Sequence, residues 1–187
     1  EKANLGPFTG QLLVGEMNQP RIMRVMLEEV GGELQGACIP FIDGSPLGRG
    51  CNRMDWAPDG SLFVGQTKHT WAGGQGIQRV SWNGKIPFEI RNMELSEKGF
   101  TFTFTQPVDK KSALQKENWP FKRYFFEYRQ AYGSPRSDEM EVEISKIEIS
   151  GDGKIVEIFL SELKPWHIHE VNIQNLKTQN GTPLPNG

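Results

Sequence analysis

Four side chains on two loops could meet an anionic or aromatic ligand. Arg53 closes loop 48–53, and Lys68, His69 and Trp71 lie in loop 66–74 (QTKHTWAGG). Both loops flank the same short hairpin, so one rim would collect two cations, an imidazole and an indole. The opposing reading is that Arg53 and Lys68 are solvated or pair with carboxylates, and that Trp71 packs under its loop. A second candidate is the aromatic run 119–132 (WPFKRYFFEYRQAY). Trp119, Tyr124 and Tyr128, interleaved with Lys122, Arg123 and Arg129, could stack on sugar rings or cover a partner surface. Strand alternation puts Tyr124, Phe126 and Tyr128 on one face and Phe125 on the other. Core packing accounts for the same residues.

Other chemistry finds less support. His167 and His169 are two apart, which places them on one face of a strand, but neither a cysteine nor a third histidine is nearby to complete a metal site. Cys38 and Cys51 allow a disulfide or two free buried thiols. No Cys-x-x-Cys-His occurs, which excludes covalent haem attachment within this chain. The carboxylates Asp43, Asp55, Asp59 and Asp109 are scattered, whereas a glycosidase needs two held across one cleft. Asp59 and Asp152 read as turn residues and Asp109 as a helix cap. No nucleophile-elbow or phosphate-loop motif is present.

Elements of two kinds must carry these residues. Over about 1–85 the strands are short and punctuated by Gly and Pro, with a Pro58-Asp59-Gly60 turn that pre-sets a tight hairpin. Over about 86–187 the strands lengthen and alternate. Segment 99–105 (GFTFTFT) puts Phe100, Phe102 and Phe104 on one face, the period of a half-buried antiparallel strand. Segment 140–149 reads as one alternating strand, and 154–160 follows it through the turn 150–153. Segment 166–176 reads as the last strand, with Trp166 as an interdomain or core residue. The predicted core is Phe100, Phe102, Phe104, Ile147, Ile149, Ile158 and Leu160, and the only predicted helix is the short 109–118.

The 187 residues carry a formal charge of −2. That balance offers no basic surface for nucleic acid, and no apolar run reaches the length of a membrane-spanning helix. Position 1 is Glu rather than Met and the chain shows no signal peptide, so it reads as a mature product, a cleaved piece or a cloned fragment.

Segments 6–15 (GPFTGQLLVG), 35–41 (QGACIPF), 52–65 (NRMDWAPDGSLFVG) and 76–90 (GIQRVSWNGKIPFEI) resemble the last blades of large extracytoplasmic β-propeller proteins. The resemblance is to sorbosone and pyrroloquinoline-quinone glucose dehydrogenases of the planctomycete and verrucomicrobial type. Residues 95–184 resemble the β-sandwich extension of such proteins, and the Pro107-Val108-Asp109 step is similar to bacterial Ig-like domains.

The fold this implies is all-β: terminal propeller blades over 1–85, an incomplete ring, followed by an Ig-like antiparallel sandwich over 86–187. It also implies a periplasmic or secreted setting, with the rest of the propeller or a neighbouring domain as partner. The parent would use pyrroloquinoline quinone and Ca²⁺, with haem c on a separate domain, and this chain would hold no cofactor itself. About two blades cannot build a quinone pocket that needs groups from several. The first expectation is therefore a non-catalytic structural or interaction piece of an oxidoreductase-like protein. The alternatives are one wall of a quinone-dependent sugar or alcohol dehydrogenase pocket, and a carbohydrate-binding module built on the aromatic run.

Overall fold

A computed structural model describes residues 3–67 and 74–185. The chain is all-β, about 50% strand and 6% helix, and the described residues form four antiparallel sheets with no closed barrel among them. It divides into two compact units, Glu1–Pro87 and Phe88–Pro185.

The first unit holds two three-stranded meanders. Strands β1 (Leu12–Gly15), β2 (Arg21–Val30) and β3 (Glu33–Asp43) form one, and β4 (Cys51–Trp56), β5 (Leu62–Thr67) and β6 (Gly74–Val80) the other. Alternation along β2 and β5 sends Ile22, Leu62 and Val64 into a shared core with Leu47 and Cys51. The Cys51 amide donates to the Glu16 carbonyl (3.1 Å), which ties the start of β4 to the end of β1. The β4–β5 turn forms as the Pro-Asp-Gly signal requires. Asp59 Oδ1 accepts from the Ser61 amide (3.0 Å) and hydroxyl (2.7 Å). These Ser61 bonds hold its carboxyl below the usual range, because they favour the charged form.

Loop 44–50 is irregular but is held by side chains of β4 and β6. Gln78 Nε2 donates to the Pro46 carbonyl, and the Gly48 amide donates to Gln78 Oε1, each at 2.7 Å. Cys51 Sγ donates to the Gly48 carbonyl (3.3 Å). Cys51 is buried, Cys38 is exposed on β3, and both are free thiols. The disulfide allowed by the sequence is therefore not formed, and only one of the two thiols is buried.

The second unit is sandwich-like. Strands β7 (Ile90–Ser96), β8 (Gly99–Phe104), β11 (Ile144–Ile149) and β12 (Ile155–Leu160) make a sheet of order β11-β12-β8-β7. Strands β9 (Phe121–Phe126), β10 (Arg136–Val142) and β13 (Ile168–Val171) make a second, of order β10-β9-β13. The faces meet through aromatic rings: Phe102 lies 5.2 Å from Trp119 and 6.5 Å from Phe121, and Phe100 stacks on Phe121 at 5.8 Å. Trp119 is 1% exposed and gives its indole N–H to the Ala113 carbonyl (2.9 Å), which satisfies its one polar group inside the core.

Several boundaries differ from the sequence expectation. The alternating run 140–149 is two strands, because the chain crosses from one sheet to the other at Glu143. Val142 and Ile144 are both buried, so the pleat continues unbroken through the corner and conceals it. Phe100, Ile147 and Ile149 are only half-buried, whereas Phe102, Phe104, Ile158 and Leu160 are buried. The predicted helix shrinks to α1 (Lys110–Ala113) and a 3₁₀ turn at Lys116–Asn118, with Asp109 capping α1 by accepting from the Ser112 amide (2.9 Å). The run 166–176 is strand only over β13, and 119–132 only over β9. Among the described residues no helix is long and apolar enough to cross a membrane.

Candidate binding site

The sequence-predicted groups fall in different places. Arg53 is exposed on β4 and gives one guanidinium N–H to the Asn52 carbonyl (2.9 Å). Lys68, His69 and Trp71 lie outside the described residues. Trp119 is core, so it offers no ligand surface. Tyr124 is 6% exposed, with its hydroxyl on Glu170 (3.1 Å) and the Arg136 guanidinium 4.0 Å above its ring. Burial, and then the bond to Glu170, push its phenol up. Tyr128 is fully exposed.

What organises this end of the second unit is Asp138, which the sequence does not single out. The β9–β10 register slips between Ser137 and Met140, and Asp138 sits in that bulge at φ +54°. A bulge re-aims a side chain, and a short polar side chain tolerates this left-handed backbone. Asp138 Oδ2 accepts from Lys164 Nζ (2.6 Å), from His167 Nε2 (2.9 Å) and from the Arg123 guanidinium. Arg123 is 5% exposed and also faces Glu162 at 3.6 Å. The bonds from Lys164, Arg123 and His167 hold the Asp138 carboxyl well below the usual range. Three donors on one oxygen favour its ionised form.

Lys164 and His167 bracket Trp166. The indole is 96% exposed, not interdomain or core, and its backbone stands at φ +62°. His167 also places Nδ1 2.9 Å from the Pro165 carbonyl, and its ring meets the edge of Phe125 at 5.2 Å. An open cleft of about 800 Å³ is lined by residues 125–128 at the end of β9 and 166–168 at the start of β13. Loop 127–135 is closed by Ser134, whose hydroxyl accepts from the Glu127 amide (3.1 Å), and by the Arg129 Nε bond to the Gly133 carbonyl (2.9 Å). The only advance signal for this site was the aromatic run; the exposure of Trp166 had none.

His169 does not join His167. It lies in β13 with its ring 5.5 Å from Phe100, and its Nε2 is buried without a hydrogen-bond partner. Burial pushes its imidazole below the ordinary value, so folding favours the neutral ring. Its contribution to stability is present above the unfolded value of about 6.5 and is lost as pH falls through the lower folded value. The second unit should therefore unfold at lower denaturant at about pH 5 than at about pH 7.5, a window set by that ordinary value. His169→Gln should shrink the difference. Denaturation midpoints at both pH values check it, and an unchanged difference in the variant contradicts it. Among the described residues no three His, Cys, Asp or Glu side chains converge to hold a metal.

Compared with known proteins, the chain matches no family model, no curated protein and no solved structure. Of the four groups expected at the propeller rim, the described residues supply Arg53, which is bonded to the neighbouring carbonyl of Asn52.

Proposed function

We propose that this chain is a non-catalytic interaction part of a larger extracytoplasmic protein of the oxidoreductase-like propeller type. In this reading the first unit contributes terminal blades and the second is a binding sandwich. The meander order of both sheets in the first unit supports the blade reading, since blades are up-and-down sheets. The periplasmic or secreted setting rests on the family resemblance.

One observation carries the interaction role. Asp138 is committed to three structural donors, while Tyr128 and Trp166 stand in solvent and line one cleft. Catalytic acids and bases are groups poised to change protonation near the working pH. Asp138 is held toward its ionised form by its three donors, and Asp59, Asp109 and Asp152 are each held below the usual range by turn or cap bonds. Exposed, positioned aromatic rings instead belong to recognition surfaces.

A dye-reduction assay tests the reading. With glucose, sorbosone or simple alcohols, and with pyrroloquinoline quinone, Ca²⁺ and an electron acceptor added, the chain should show no turnover. Saturable turnover that disappears in Arg53→Ala would overturn it.

A further inference from the structure

Trp166 is both the most awkwardly placed and one of the most exposed large side chains of the second unit. A bulky residue at φ +62° occupies backbone space that L-residues with large side chains avoid. Such a conformation persists where the surroundings over-determine it, and such places cluster at ligand clamps. Here they do over-determine it. Lys164 and His167, two residues before and one after, are bonded to the same Asp138 oxygen. That oxygen is held from below by buried Arg123. The core does not need this indole, which is 96% exposed. The anchoring therefore fixes the backbone that holds this ring in water, and a backbone fixed in advance loses little freedom when a ligand arrives.

We propose that the cleft lined by Trp166 and Tyr128 binds a neutral oligosaccharide, with the two rings stacking on sugar faces and Glu127 meeting a hydroxyl. The proposal rests on the reading of this chain as a recognition part rather than an enzyme. The chemistry of the lining selects the ligand. Four of the seven lining residues are Phe, Tyr or Trp, and the only aliphatic one is Ile168. Flat faces suit flat, C–H-bearing rings better than branched apolar side chains. The polar lining groups are the Glu127 carboxylate, which can accept from hydroxyls, and the His167 imidazole, whose two nitrogens are already placed on Asp138 and the Pro165 carbonyl. No lysine or arginine lines the cleft, so a polyanion would find no ion pair there and would meet the Glu127 charge. A quaternary ammonium head also favours aromatic rings beside a carboxylate. It needs a cage closed around one small cation, whereas this cleft is open and about 800 Å³ in volume. That size is in the range that takes a ligand of several rings.

The test is calorimetric titration of the whole chain with neutral cello-, manno- and xylo-oligosaccharides, with oligogalacturonate, and with choline. Wild type is compared with Trp166→Ala, Trp166→Phe, Tyr128→Ala and Ile77→Ala. Trp166, Tyr128 and Ile77 are 96%, 107% and 74% exposed, so folding should survive each change, and circular dichroism verifies it. At least one neutral series should bind saturably. Trp166→Ala should weaken it about tenfold or more, Trp166→Phe should restore part of the loss, and Ile77→Ala should leave it unchanged. Neutral saccharide binding that is indifferent to both Trp166→Ala and Tyr128→Ala overturns the proposal, as does no saturable binding of any neutral series. Trp166-dependent binding of choline or oligogalacturonate in place of the neutral series overturns it too, while leaving the non-catalytic reading standing. Turnover in the dye-reduction assay would instead remove that reading.

Discussion

Phe102→Asp is expected to unfold the second unit, whereas Thr103→Asp is tolerated. Phe102 is 0% exposed and lies against Trp119 and Phe121. Its neighbour Thr103 is half-buried on the opposite side of β8 and pairs with Ile155 and Asn92. Replacing the ring with a carboxylate loses the burial of a large side chain, about 3–5 kcal/mol when truncation alone is counted. It also strands a charge among rings that cannot hydrogen-bond it, which costs several kcal/mol more. Domains have only about 5–15 kcal/mol in hand. Asp at position 103 keeps its charge near solvent and costs about 1 kcal/mol in strand preference. Thermal melts followed by near-ultraviolet circular dichroism, which reports the Trp119 environment, decide it. Equal melting temperatures for the two variants, or the reverse order, would show that β8 is not packed as described.

Gly50→Ala should be the most damaging small change in the first unit. Gly50 has φ +74°, and a Cβ there would sit 1.7 Å from the carbonyl oxygen of Thr67. That carbonyl is backbone at the end of β5, and the Thr67 amide is bonded to the Gly50 carbonyl at 3.0 Å, so neither partner can step aside without opening the β4–β5 pairing. Gly31 supplies the control, since it has φ +61° but nothing within 4 Å of its Cβ position. Gly31→Ala therefore reports the left-handed backbone alone, about 1 kcal/mol. Gly50→Ala adds the clash and should exceed about 2 kcal/mol. Denaturant unfolding measures both, and hydrogen exchange should place the loss in β4 and β5. Similar losses in the two variants would mean that the close approach at Thr67 is not real.

Together these variants separate what is local from what is not. The Phe100-Thr101-Phe102-Thr103-Phe104 alternation and the Pro58-Asp59-Gly60 turn were legible because each is set within a few residues, by the pleat of a strand or the φ of a turn. The same holds for Asp109 as a cap and for Asp152, which accepts from the Ser150 hydroxyl (2.6 Å) and the Lys154 amide (3.0 Å). The candidate site was only half legible. The aromatic run marked the right stretch, but it could not say which rings face inward. Trp119 and Tyr124 are buried and Tyr128 is exposed, because β9 ends at Phe126 and the pleat that sorts the faces ends with it.

The sequence by itself determined that this protein is all-β and where many of its turns and strands fall, since period and turn chemistry are properties of neighbouring residues. Only the tertiary structure decided that 140–149 splits between two sheets, that a bulge turns Asp138 onto Arg123, Lys164 and His167, and that Trp166 is held out in water. Each of these depends on pairing between strands distant in sequence, so that a one-residue slip in β9 against β10 changes which side chains meet. No local pattern encodes a register set by its partner strand.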